Sequence, residues 1–196
     1  MNKEIIKQKK LLLFLLGILV LGFVGGLLFI SIISSDNKEL VKESVEGYFE
    51  IVKSGKEINV FSVLKECLES FGGNLVIWLI GISIVGAFLA GIAVFFRSFL
   101  VGFSFASIVY TFKIKGVLLA IIYIIPEILS LFILFFLVYY AISFSILLFN
   151  YLFKKKEIVR TLIMRRYLKV LFLVLGACIL NSLLKTLVIP LILQLF

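Results

Sequence analysis

Few side chains in this sequence are equipped for chemistry, and those that are stand inside apolar runs. Glu127 is the only acid between Glu69 and the basic stretch that begins at Lys154. Lys185 lies in a second apolar run, with Asn181 four residues before it on one helical face and Cys178, Ser182 and Thr186 nearby. A charge at the centre of a membrane helix costs about 2.5–3.5 kcal/mol on insertion scales, so such groups pair, or face protein or water. Glu127 and Lys185 either form a direct or water-bridged pair near the outer interface, or each reaches a wet interface on its own. Arg97 interrupts a third apolar run and reads as the turn residue of a helical hairpin, anchored among inner-leaflet headgroups.

Other chemistries are excluded by residue type. Histidine is absent, which removes the usual general base and rules out a Ser-His triad. No Gly-rich loop of the Walker kind occurs. No pair of carboxylates, no hydroxyl beside a base and no cluster with metal-ligand spacing is present, so no catalytic, cofactor or metal site is expected. Cys67 and Cys178 read as two free thiols.

The elements that hold these groups are membrane helices. Hydrophobic residues make up 63% of the 196 and the mean hydropathy is +1.24, against about 45–50% apolar residues in soluble domains. The formal charge of +9 sits at the flanks of apolar runs, where orientation and anionic lipid explain it without nucleic acid. The reading is an all-α polytopic bundle of about five transmembrane helices, forming one membrane domain over 1–196.

Taken in order, span 1 covers 11–33 behind a lysine-rich tail placed in the cytoplasm, and Gly22 and Gly26 on it favour close helix approach. Segment 34–73 carries five lysines against eight acids and is placed outside. Its apolar residues Val41, Val45, Tyr48 and Val52, then Val60, Leu64, Cys67 and Phe71, predict two short amphipathic helices joined by a turn at 54–59. Those faces rest on the membrane or the bundle, or they dock a partner.

Span 2 is expected over 74–96, the turn at Arg97 and span 3 over 98–112. Ser83, Ala87 and Gly91 on the one, and Ser98, Gly102 and Ala106 on the other, form small faces suited to packing. These faces serve contacts within the chain or a homodimer. Lys113 and Lys115 mark a short outer turn ending at Gly116. Because proline suits a helix's first turn, Pro126 predicts an outer or re-entrant helix over 117–125 and span 4 over 126–149. A basic cytoplasmic loop over 154–169 and span 5 over 170–192 complete the chain, leaving its C-terminus outside.

The segments WLIGISIVG (78–86), RSFLVGF (97–103) and IPEILSLF (125–132) resemble, in order and spacing, the stage II sporulation protein M family of bacterial membrane proteins. The likeness covers most of the chain from about Asp36 to the basic loop. It departs from the common pattern at Arg97, Ser98 and Glu127, and in having no second proline between Pro126 and Pro190. The resemblance implies a non-enzymatic scaffold in the cell membrane acting in endospore engulfment. Its implied partners are a membrane-anchored lytic transglycosylase and an amidase/endopeptidase that degrade peptidoglycan. The broken helix at Pro126 and the polar stripe at Lys185 motivate a different class, a transporter or a membrane subunit of one. On either reading the outer segment, with Tyr48 and Phe71, and the region of Pro126 and Glu127 are the expected working surface.

Overall fold

A computed structural model of the chain describes residues 2–53, 60–154 and 160–193. The helices are α1 (Asn2–Ile32), α2 (Ser35–Lys53), α3 (Val60–Ile80), α4 (Ile84–Lys154) and α5 (Arg160–Leu183). A π-helical turn, Leu184–Val188, and α6 (Ile189–Leu193) extend α5. No strand occurs among the described residues. Three helical stretches are long and apolar enough to cross a membrane: Gln8–Ile32, Phe88–Phe149 and Tyr167–Ile192. Large apolar side chains such as Phe14, Phe88, Phe132 and Phe172 are exposed around the bundle, as lipid contact requires. The chain is a helical membrane protein.

α4 has 71 residues and would be about 107 Å long if straight. It is folded double at Lys113, whose φ of 53° and ψ of −127° are not helical. The first arm (84–112) and the second (114–154) then run antiparallel, with Ala90 and Val94 packed with Leu134, Phe135 and Val138. At the fold Gly116 is required, because a Cβ there would stand 2.6 Å from the Ile108 carbonyl oxygen. Lys113 adopts a backbone that costs an L-residue about 1–3 kcal/mol, which packing along both arms offsets. The turn expected at Lys113 and Lys115 is therefore present and tighter than a loop.

Two other expected boundaries are corrected. Arg97 is not a turn residue: it lies inside the first arm, and the chain reverses instead at 81–83. There Ser83 accepts the Gly86 N–H at 2.8 Å and so caps α4, while Ser145 Oγ donates to the Ser83 carbonyl at 3.1 Å. Nor does Pro126 break the helix or separate a re-entrant 117–125 piece, since the second arm runs through it. Pro126 is fully buried, and membrane helices tolerate such residues where neighbouring helices surround the freed backbone groups.

The second amphipathic outer helix is likewise not separate. Val60 to Phe71 continue without interruption into the apolar residues up to Ile80 as the single helix α3. Of the basic loop placed at 154–169, Arg160 onward is already α5; the turn placed at 54–59 and residues 155–159 lie outside the described residues.

α1 runs parallel to the first arm, because Gly22 meets Phe95 and Ser98 while Gly26 meets Phe99 and Phe103. A Cβ on Gly22, Gly26 or Gly102 would collide with backbone of the facing helix. In lipid, where burying apolar surface gives little drive for helix association, such close packing supplies much of the attraction. Phe29 extends the seam edge-on to Phe99 and Phe103, with ring centroids 5.4 and 5.8 Å apart. The Ser83, Ala87 and Gly91 face does not continue it: Ser83 is a cap, Gly91 has nothing within 4 Å of a Cβ position, and the Ala87 side chain lies outside the described ones.

α3 packs antiparallel to α5. Trp78 stacks on Tyr167 with centroids 4.9 Å apart, and Tyr167 stacks in turn on Phe144 at 4.2 Å. The Tyr167 hydroxyl donates to the Trp78 carbonyl at 2.7 Å. α2 lies across the folded end of α4, with Phe49 edge-on to Phe112 and with Val52 in a cluster that includes Ile108, Ala120 and Ile189.

A buried chain of charges as the candidate functional site

Four ionisable side chains from four segments meet inside this frame. Lys185 Nζ lies 3.0 Å from Glu127 Oε1 and 2.8 Å from Glu66 Oε1. Arg97 Nη2 lies 3.0 Å from Glu127 Oε2 and 3.4 Å from Ser130 Oγ. The order is Glu66, Lys185, Glu127, Arg97, an alternating chain whose formal charges cancel. Glu127 holds the centre, with both oxygens engaged and a side chain only 11% exposed.

Local structure explains how each group arrives. The fold at Lys113 brings the two arms together, so that residues 30 positions apart touch. Lys185 belongs to the π turn, where the Ile189 N–H reaches back to the Leu184 carbonyl. Pro190 follows directly, and its ring excludes an ordinary helical approach of the carbonyl four residues earlier. The widened turn accommodates the proline and swings Lys185 toward the second arm; π turns often occur at functional positions. Glu66 enters from α3, which is antiparallel to α5.

The depth of the cluster differs from expectation. Arg97 lies between the first-arm residues that meet Gly22 and Gly26, level with the middle of the α1 apolar run. Glu127 and Lys185 are thus joined level with the middle of that run rather than near either end of it. This arrangement satisfies the electrostatics: each carboxylate has a cation, and desolvation of one partner is offset by the other.

Beside the chain is a cavity of about 310 Å³, walled by Glu66, Glu69, Asn74, Arg97, Ser130 and Lys185 among others. Asn74 Nδ2 donates to the Ser70 carbonyl at 2.9 Å and to Cys178 Sγ at 3.4 Å. Cys178 is buried, and both it and Cys67 are free thiols. Asn181 and Ser182 are buried one turn before Lys185, and Asn181 Oδ1 and Ser182 Oγ have no partner among the described residues. Also among the described residues, no group of three or more His, Cys, Asp or Glu side chains is placed to hold a metal ion.

Other residues singled out in the sequence lie elsewhere. Tyr48 is on α2, edge-on to Tyr123 with centroids 5.7 Å apart, at a cleft of about 350 Å³ between α2 and α4. Phe71 packs inward beside Leu137, Val174 and Cys178, and Pro126 is buried, so neither belongs to an outer docking surface. Ser98 meets Gly22, and Ala106 is half-buried further along the same arm.

Sequence reasoning missed Glu66 and Ser130 and misassigned Arg97. Glu66 counts among the acids of the segment placed outside over 34–73, whereas α3 runs unbroken from Val60 to Ile80. The available signal was that an uninterrupted α3 carries its acid to the height of Lys185. Comparison with protein-family profiles, curated proteins and solved structures finds no match to this chain.

Proposed function

We infer that the chain is a non-enzymatic membrane scaffold with five crossings. The observation that carries this reading is the closed charge chain, in which four ionisable groups are spent on tying together α3, both arms of α4 and the π turn. That is a framework use of charge. In the proposed topology α1 leads out from a cytoplasmic N-terminus, α3 returns, the two arms go out and back, and α5 leads out again, in a bacterial cell membrane. Lysines at the N-terminal tail and bases around 154–169 favour this orientation. A membrane-impermeant maleimide added to intact cells is expected to label Asn37→Cys on the exposed face of α2 but not the buried Cys178. Labelling of Asn37→Cys only after the cytoplasm is opened reverses the topology.

In this orientation α2 lies outside over the fold of α4 and exposes Asp36, Glu39, Glu43 and Glu50. That acidic ridge is the docking surface proposed for partners with catalytic domains outside the cell membrane. By the family resemblance those partners are the lytic transglycosylase and the amidase/endopeptidase of endospore engulfment. Co-purification of both with the tagged chain from starved cells, and its loss when the four acids become Gln or Asn, is the expected result.

The cavity beside the π turn favours a second reading, transport, because discontinuous helices with polar groups at mid-depth are typical of solute sites. Failure to capture either hydrolase, together with solute flux in liposomes, would replace the scaffold with a transporter.

A further inference from the structure

We propose that the cavity beside the charge chain binds a small zwitterion: an oxyanion, carboxylate or phosphate, with an ammonium group a few bonds away. The argument begins with unspent hydrogen-bonding capacity. Arg97 engages Glu127 and Ser130 through Nη2 alone, so Nη1 and Nε have no partner among the described residues. Its side chain is 40% exposed and lines the cavity. A guanidinium presenting a free edge at this depth is matched by a planar or tetrahedral oxyanion, which accepts two of its N–H groups.

Across the same cavity Glu66 uses only Oε1, and the sole ion-pair partner of Glu69 among the described residues is Lys65 at 4.0 Å. Exposed pairs of that kind contribute little, so Glu69 is available to a ligand. Carboxylate oxygens on this wall are matched by an ammonium.

Charge balance decides between an anion and a zwitterion. Glu66, Lys185, Glu127 and Arg97 sum to zero, and so does Glu69 with its neighbour Lys65, so a ligand with net charge would leave that charge uncompensated in a poorly solvating site. A zwitterion adds none. The cavity, about 310 Å³, falls at the small end of ligand sites, suiting a single amino acid or a lipid headgroup. A free α-amino acid and the phosphoethanolamine headgroup of a membrane lipid share the required chemistry.

The inference deepens the transport reading by naming its substrate class, yet binding stands without flux. The full chain is reconstituted in nanodiscs of phosphatidylglycerol, which carries no amine. One arm titrates L-alanine calorimetrically; the other doses in phosphatidylethanolamine and reads retained lipid by native mass spectrometry. Saturable binding in either arm is expected and identifies the source. Arg97→Gln and Glu69→Gln should each weaken it about tenfold, the factor for one charge-assisted hydrogen bond. Glu69 is exposed, so its variant reports on binding even where Arg97→Gln fails to fold.

Binding of L-lactate, or retention of phosphatidylglycerol itself, as tight as that of the amine-bearing probe would overturn the proposal. So would absence of binding in both arms, or a Glu69→Gln protein that binds as well as the parent. Binding without flux retains the site and removes transport.

Discussion

Glu127→Gln is expected to destabilise the protein by about 3–5 kcal/mol, the cost of removing one partner from a buried ion pair. The substitution keeps the shape of the side chain but strips the charge that faces both Arg97 and Lys185. Lys185 retains Glu66, whereas Arg97 retains only a hydroxyl, so the larger penalty falls on the arm-to-arm contact. Glu66→Gln should cost less, because Lys185 keeps its bond to Glu127 and Glu66 is the more exposed carboxylate. Replacing Arg97 by Met alongside Glu127→Gln should recover much of the loss, since Lys185 keeps Glu66 and no unpaired ion then remains. Thermal unfolding in micelles followed through Trp78, the single tryptophan, measures all three. A Glu127→Gln protein as stable as the parent would remove the charge chain as a structural element.

Gly26→Leu is expected to detach α1 from the first arm. Even the Cβ of an alanine here would overlap the Phe99 carbonyl oxygen, and the Phe103 backbone nitrogen stands 2.7 Å from the same position. Overpacking of side chains costs about 1–3 kcal/mol because they can turn aside; backbone atoms of a helix cannot, so the upper end of that range applies. The Phe29, Phe99 and Phe103 ring contacts just beyond the glycine would be lost with the seam. Gly17→Leu and Gly91→Leu serve as controls, since open space surrounds both. The readings are unfolding temperature and protease cleavage near residues 33 and 34, where α1 hands over to α2. Equal behaviour of Gly26→Leu and Gly17→Leu would be the contrary result.

The parts of this fold legible in the sequence are those set by local pattern. Runs of apolar residues reveal helices in lipid because each must satisfy its own backbone, and the Gly22 and Gly26 spacing reveals a contact face. Lys113, Lys115 and Gly116 likewise mark the reversal in α4. Glu127 and Lys185 stood out because acids and bases are rare at such positions, and the structure brings them together.

What escaped local reading depends on partners far along the chain. Arg97 looks like a turn until Glu127 is known to face it. Glu66 looks like one more outer acid until Lys185, 119 residues on, is placed beside it. Pro126 looks like a helix start until its burial among neighbouring helices shows why it is tolerated. Each error follows from treating a charge or a proline as a boundary when a distant group makes it an interior residue.

The closed charge chain also bears on the order of assembly. During synthesis Arg97 emerges 30 residues ahead of Glu127, and entering the bilayer unaccompanied would cost it about 2.5–3.5 kcal/mol. Entering together as a hairpin, the two arms of α4 would carry the pair in neutralised. Glu66 emerges earlier still, and in the proposed topology α3 crosses before the cation that Glu66 will face has been made.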